Sequence, residues 1–352
     1  MEMKRKGDSL SPTIAVWLGG LGVVVGLTAI LLRQWPAIQP GQGAVVGGFA
    51  VLTAAVITYA SQHKTRKQDA HHHNQKEQRE RENQFRNRFT TASDQIANSS
   101  AAIRLAGIYG LTSLSDDWLG FGNEQERDVC INLLRAYLRT PFSSNVEGFT
   151  IQGESEVRHT LLEIFQARIG TYRPDEWTIE RLDRLAMSGC QFDNLALGRI
   201  SIRGSDFSKS VLQRLHFLQI ILNECDFSFV EIHDSDFEEV HGEQASFLAA
   251  SFTNCRFSRS RFSVSSFTSA EMTDVVFDSS TLRSCSFTNT SLGMVSFEGA
   301  DLRGADFGGA DLHAVNFKGA ILDGVRWHKV AYDSTTQWPV GFVPPPSYRN
   351  RT

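Results

Sequence analysis

The stretch ADLRGADFGGADLHAVNFKGAILDG, residues 300–324, decides the fold of this chain. A large apolar residue returns at every fifth position, and a small residue stands two positions before it. The same register runs through residues 190–327, where Gly242 is the one central position without a side chain to bury. A helix repeats every 3.6 residues and a strand every two, so neither keeps a period of five. The register predicts a chain that turns every five residues, with the large and the small residue of each unit pointing inward.

This pattern of small, Asp or Asn, Leu or Phe, polar, any residue resembles that of the pentapeptide-repeat family. The resemblance implies a mainly β fold, a right-handed quadrilateral β-helix with four pentapeptides in each coil of twenty residues and about seven coils in 190–327. The same resemblance extends to 85–140, which is similar to the helical segment of membrane-anchored bacterial members, and to the tail 328–352, which is similar to their closing segment. The predicted structural core of the repeat includes Phe192, Phe207, Phe227, Phe247, Phe267, Phe287 and Phe307. The predicted end cap over the last coil consists of Tyr332, Trp338 and Phe342.

The amino-terminal sequence predicts a membrane anchor. Residues 13–32 and 44–60 are apolar runs without charge, and a spanning helix needs roughly 20 such residues. Basic residues lie in the segment 1–12 and in the charged stalk 61–88, which favours a two-helix transmembrane hairpin (13–60) with both flanks in the cytoplasm. The predicted location is therefore the bacterial inner membrane, with the N-terminus and the C-terminal domains cytoplasmic. Small residues in both runs also permit a homo-oligomer formed through the spans, and the β-helix offers a second route to one.

Between the stalk and the repeat, 85–185 predicts a small α-helical module. Apolar residues return at helical spacing in several short runs, and Pro141 interrupts the pattern. Three or four short helices fit this length.

The residues argue against an enzyme. No nucleophile elbow, phosphate-binding glycine loop, HExxH or CxxC motif occurs. Cys190, Cys225, Cys255 and Cys285 all fall at inward small positions, where the coil spacing keeps them too far apart for a disulfide or a zinc site. We therefore predict no catalytic residue, no metal and no cofactor. The net charge of -4 argues against direct nucleic-acid binding.

Two surfaces are candidates for binding a protein partner. The first is an acidic belt in a stretch without Lys or Arg between Arg214 and Arg256: Glu224, Asp226, Glu231, Asp234, Asp236, Glu238, Glu239 and Glu243. Coil spacing places Arg256 above Asp236 and Arg259 above Glu239, so the belt is predicted to be partly paired. The second is a set of outward apolar residues: Val211, Leu218, Ile221, Phe229 and Leu248. Docking of the helical module on these residues is the favoured interpretation, and contact with a partner is the other.

Three functions fit these observations. The favoured one is a membrane-tethered, cytoplasm-facing scaffold or sensor that binds an unidentified protein and contacts the lipid bilayer through its two spans. The second is a membrane-acting effector, for example in bacterial self-defence, triggered through the repeat. The third follows from the family resemblance, since some members bind DNA gyrase by mimicking duplex DNA. The belt surrounds about one coil, however, whereas a mimic needs negative charge along the axis.

Overall fold

A computed structural model of the chain describes residue 33 and residues 43–142, 149–169 and 181–348. Within these ranges four helices come first, and eleven short strands of one parallel sheet follow. The helices are α1 Gly43–Ile96, α2 Ala101–Phe121, α3 Glu124–Arg139 and α4 Ile151–Arg168. A helical module followed by a β-helix of about seven turns confirms that part of the predicted fold class.

The predicted transmembrane hairpin is wrong. Among the described residues, no helix combines the length and the apolar character that crossing a membrane requires. The second predicted span, 44–60, is the beginning of the single 54-residue helix α1, which continues into the charged stalk. This run of seventeen residues covers only ~26 Å of helix, less than the ~30 Å of a bilayer core. The first predicted span, 13–32, lies outside the described residues. The inner-membrane location and the bilayer contact, which depended on the hairpin, are corrected with it.

The strands stack with a constant offset of twenty residues, as in the pairs Gln191 with Val211 and Asp311 with Ala331. The ladder begins at Arg181, which pairs with Ser201, so Leu182 and Met187 extend the register upstream of the predicted start. The strands are β1 Gln191–Asp193, β2 Ala196–Gly198, β3 Val211–Gln213, β4 His216–Leu218, β5 Glu231–His233, β6 Asp236–Glu238, β7 Ser251–Arg256, β8 Glu271–Val276, β9 Ser291–Gly293, β10 Asp311–His313 and β11 Ala331–Tyr332.

Each coil turns at residues in the left-handed backbone conformation. These corners recur at every fifth residue from Arg184 to Lys329. Glycine, which adopts this conformation without steric cost, occupies most corners of the last coils, whereas the earlier coils place larger side chains there. Val264 is the β-branched example, with φ 63° and 60% of its surface exposed. Its corner position therefore costs conformational energy without burying the side chain.

Replacing Val264 with glycine should stabilise the β-helix. The left-handed conformation costs an L-residue about 1–2 kcal/mol, and the greater freedom of glycine in the unfolded chain cancels part of the gain. We expect a net increase of about 0.5–1 kcal/mol in the free energy of unfolding, measured by urea denaturation. Val211→Gly, at a strand position, is the control and should destabilise. A destabilised Val264→Gly variant would contradict this account of the corners.

Aromatic rings fill the interior in two columns. Phe207, Phe227, Phe247 and the rings above them stack with centroids 4.8–5.1 Å apart and end on Trp327. The second column runs from Phe237 to Phe317 and ends on Trp338, 5.2 Å away. The central side chains are nearly all buried, and serine hydroxyls at several small positions accept hydrogen bonds from backbone N–H groups of the preceding coil. This packing makes the β-helix a solid column with no channel for a ligand.

Gly242 leaves no void in this column. A Cβ built on Gly242 would lie 2.6 Å from Cδ1 of Phe262 and closer still to Cε1. The ring of Phe262, which is fully buried, therefore occupies the space that a central side chain fills in the other coils.

The helical module covers the first edge of the β-helix. Three backbone N–H groups of the first coil donate to it: Ala186 to the carbonyl of Leu138, Gln191 to the hydroxyl of Ser155, and Gly198 to Oε1 of Gln166, each at 2.8 Å. Arginines of α3 also donate to first-coil carbonyls. These bonds satisfy edge groups that would otherwise be open to pairing with another chain.

A buried cluster of charges holds this cap together. Glu154 of α4 receives hydrogen bonds from Arg158 (2.6 Å) and from Tyr137 (2.8 Å) and pairs with Arg104 (3.1 Å), and all three charged side chains are at most 2% exposed. Arg158 also donates to the carbonyls of Leu138, Thr140 and Ala186, which joins the end of α3 to the first coil. Burial, and then the charge of Glu154, raise the pKa of Tyr137 above its usual value. The phenol therefore remains a neutral donor to Glu154.

Candidate partner-binding surfaces

The acidic belt does not act as one surface, because half of its carboxylates already pair with arginines. Arg256 donates to Asp236 at 2.9 Å, and Arg259 pairs with both Glu238 and Glu239. Further round the coil, Arg203 pairs with Glu224. The predicted pairing is thus present, and it extends to the next coil.

The charges separate by face once the register is known. One side of the β-helix is the path along which the strand ladder runs continuously. We call this side the acidic face. It consists of strands β1, β3, β5, β9, β10 and β11, of the first half of β7 and the first half of β8, and of the corner residue that follows each of these segments. On the other three faces carboxylates and cations nearly balance, at five against six, three against three, and five against four. The acidic face carries seven carboxylates and a single cation, Arg214. Its carboxylates are Asp193, Glu231, Asp234, Glu271, Asp274, Asp311 and Asp333.

The carboxylates of this face recur in every second coil. Along one column Glu231, Glu271 and Asp311 alternate with Ser251 and Ser291. Along the neighbouring corner, Asp234 receives a hydrogen bond of 2.8 Å from Asn254. Two coils correspond to ~9.6 Å, about one screening length at physiological salt, so the like charges repel one another only weakly.

Four carboxylates in the middle of this face have no arginine or lysine partner in the described part of the chain. Among the described residues, no arginine or lysine forms an ion pair with Glu231, Asp234, Glu271 or Asp274. Asp193, by contrast, is paired with Arg214 at the start of the face, and Asp333 is paired with His313 at its end. The face is therefore a flat, regular strip of negative charge along the axis. The belt contained only Glu231 and Asp234 of this strip; a count at intervals of forty residues would have found Glu271, Asp274 and Asp311.

Comparisons with known proteins agree with this architecture. A family model described as a pentapeptide repeat region matches residues 250–327. The chain contains a pentapeptide-repeat region over these residues. No curated protein sequence matches the chain.

Several solved structures of pentapeptide-repeat proteins also match. A trypsin-treated variant of QnrB1, a plasmid-mediated fluoroquinolone resistance protein, is 20% identical, and the match covers 44% of this chain and 89% of that chain with a TM-score of 0.25. HetL, involved in heterocyst differentiation regulation in the cyanobacterium Nostoc sp. strain PCC 7120, is 15% identical over 44% of this chain and 90% of that chain, with a TM-score of 0.19. Rfr23 from the cyanobacterium Cyanothece 51142 is 13% identical over 39% of this chain and 90% of that chain, with a TM-score of 0.18.

The five outward apolar residues predicted from the sequence divide between two opposite corners. Val211, Phe229 and Leu248 lie around the corner that borders the acidic face, and the N–H of Phe229 donates to the carbonyl of Leu248 at 2.8 Å. Leu218 and Ile221 lie at the diagonally opposite corner. The helical module docks on the first edge and leaves these side chains open, with Phe229 54% and Leu248 39% exposed. Within the described residues, the module thus docks on the first coil and does not cover Phe229 or Leu248.

A shallow groove of about 460 Å³ lies on the face formed by β2, β4 and β6. Its lining includes His216, Leu218, Glu238 and Arg259. Its arginines and carboxylates pair with one another, so the groove presents little uncompensated charge to a ligand.

The cysteines of the pentapeptide-repeat domain are core residues. All are buried and none forms a disulfide among the described residues. Burial raises the pKa of Cys225 and of Cys285 to about 12, which keeps both thiols protonated and unreactive at neutral pH. Within the described ranges, no group of His, Cys, Asp and Glu has the arrangement of a metal site.

Proposed function

We propose that this pentapeptide-repeat protein is a rigid binding scaffold whose acidic face engages a basic surface of a partner protein. The observation that supports the proposal is the charge asymmetry of the column, with seven carboxylates against one arginine on one face and near balance on the other three. The proposal assigns the chain a binding role and no catalysis.

Rigidity is what makes such a face effective. The strand ladder and the ring columns fix the backbone under each carboxylate, so little conformational entropy is lost when a partner binds. Complementary charge of this kind increases the association rate and selects against other partners more than it adds affinity. We therefore expect the interaction to weaken as salt is added.

The charge density distinguishes this role from duplex mimicry. The net charge of the face is -6 over seven coil steps, which is about one charge per 6 Å of axis at ~4.8 Å per coil. Duplex DNA carries about one charge per 1.7 Å. The face is thus several-fold less dense than a nucleic acid, which favours an ordinary basic protein surface over the DNA-binding site of a topoisomerase.

Removing two negative charges from the acidic face should weaken binding of the partner protein. We expect Glu271→Gln with Asp274→Asn, in the full chain, to reduce at least tenfold the recovery of a crosslinked protein identified by mass spectrometry at low salt. The matched control is Glu243→Gln with Asp323→Asn, which removes two exposed charges from another face and should leave recovery unchanged. Equal loss in both double variants would show that net charge alone matters, and unchanged recovery in both would refute the proposal.

The same protein can be tested for duplex mimicry with purified DNA gyrase. From its charge density we expect the full chain at micromolar concentration to leave supercoiling unaffected. Inhibition that is lost in the Glu271→Gln, Asp274→Asn variant would show that the partner site is a DNA-binding surface.

A further inference from the structure

The acidic face and the apolar corner beside it form one composite surface. Val211 pairs with Glu231 in the strand ladder, and Phe229 precedes Glu231 by two residues at the corner. The N–H of Phe229 bonds to the carbonyl of Leu248 in the next coil, so the two residues are neighbours across the coils. Apolar side chains therefore border the column of alternating carboxylates in the early coils.

Phe229 has no folding role that explains it. It holds the left-handed conformation with φ 59° and leaves 54% of its surface exposed. The same corner is occupied by Ala249, Ser269 and Gly309 in later coils, so the turn does not need an aromatic ring. A half-exposed aromatic ring beside other exposed apolar side chains is a candidate contact site.

The spacing of the carboxylates limits what can bind beside this corner. Glu231, Glu271 and Asp311 are two coils apart, or ~9.6 Å. Seven residues of an α-helix rise ~10.5 Å, so a helix lying along the axis would bring a residue of the same side to each carboxylate in turn. The flexible side chain of lysine or arginine covers the remaining mismatch.

We infer that the composite surface binds an amphipathic basic helix of a partner protein. Its basic residues, repeated about every seven positions, pair with the carboxylate column, and its apolar stripe packs on Phe229, Leu248 and Val211. The inference rests on the proposed function and adds the form of the partner. The negative charge of the column is complementary to a basic helix. Leu218 and Ile221 are not assigned to this site, because their corner lies away from the acidic face.

The test uses two synthetic helical peptides and the full chain, with binding measured by fluorescence anisotropy. One peptide carries lysines at heptad spacing and leucines along the adjacent stripe, and the other replaces each leucine with alanine. Burial of two half-exposed apolar side chains should make the wild type bind the leucine peptide at least tenfold more tightly than the alanine peptide.

Variants that copy other coils of this chain separate the two parts of the surface. Phe229→Ser with Leu248→Thr places at those positions the residues found at 269 and at 268, and should abolish the preference for leucine. The control, Leu218→Ser with Ile221→Thr, makes the equivalent change at the opposite corner and should keep it. Glu271→Gln with Asp274→Asn should weaken the binding of both peptides.

Each outcome has a distinct meaning. If the wild type binds both peptides equally while the charge variant loses both, the amphipathic helix is refuted and the proposed function stands. If the charge variant binds both peptides as the wild type does, the proposed function itself is refuted. Equal loss of the leucine preference in the two corner variants would also overturn the assignment of the site to Phe229 and Leu248.

Discussion

Replacing Glu154 with glutamine is expected to lower the free energy of unfolding by about 3–5 kcal/mol, the usual cost of removing one partner from a buried ion pair. The carboxylate of Glu154 accepts hydrogen bonds from Tyr137 and Arg158 and pairs with Arg104. In glutamine one of the two oxygens becomes an NH₂ group, which is itself a donor and would face one of these three donor groups. Urea unfolding of the full chain measures the change.

The charge balance around Glu154 explains why the loss should be large. Two buried arginines face one carboxylate, and the rest of the compensation comes from backbone carbonyls. Arg104 donates to the carbonyls of Asn98 and Ser99 just beyond α1, and Arg158 donates to those at the end of α3. The carboxyl end of a helix carries about half a negative charge. Glu154 therefore supplies the only full negative charge in the cluster.

Glu163→Gln is the matched control. Glu163 lies on the same helix with its side chain 61% exposed, and we expect a change below about 0.5 kcal/mol. Hydrogen exchange gives a second readout, since the N–H groups of Gln191 and Gly198 bond to α4 and should exchange faster in Glu154→Gln only. Wild-type stability together with unchanged exchange would contradict the role assigned to the cluster.

Replacing Gly242 with leucine is expected to destabilise the β-helix by up to about 3 kcal/mol, although leucine is the commonest alternative to phenylalanine at central positions. The ring of Phe262 already occupies the space, with Cδ1 2.6 Å from the first added atom. Thermal or urea unfolding of the variant measures the effect.

A second substitution distinguishes overpacking from other causes. Phe262→Leu in the Gly242→Leu background should recover most of the lost stability, because two leucines then share the space of one ring. Phe262→Leu alone should destabilise by leaving a cavity beside Gly242. If the double variant is as unstable as the sum of the two single variants, Gly242 is not complementary to Phe262.

The repeat was predictable because every five-residue unit has the same pattern of large and small side chains. The backbone turns every five residues, and each turn buries one large and one small side chain, so all central positions from Phe192 to Trp327 except Gly242 carry the signal. The interval of forty residues between Glu231 and Glu271, and between Asp234 and Asp274, was equally present in the sequence. It acquires meaning only when two coils are known to equal forty residues.

Other expectations failed where one segment was considered alone. The run 44–60 suggested a span, but its continuation into the stalk as one helix decided the outcome. The belt from Glu224 to Glu243 was contiguous in sequence, yet the coil distributes it over four faces and pairs much of it with arginines one coil away. Gly242 contributes no side chain to the interior, and the ring of Phe262, twenty residues later, fills the space.

The sequence by itself determined the β-helix, its coil length and which residues face inward, because those properties follow from a short period that the backbone repeats. The tertiary structure alone decided how the column begins and which of its carboxylates pair with arginines. The carboxylate of Glu154 binds Arg104, Tyr137 and Arg158. These residues belong to three helices, and no local spacing in the sequence indicates that they meet. Their contact depends on how the helices pack on the first coil, and the acidic face likewise exists only because distant residues stack in register.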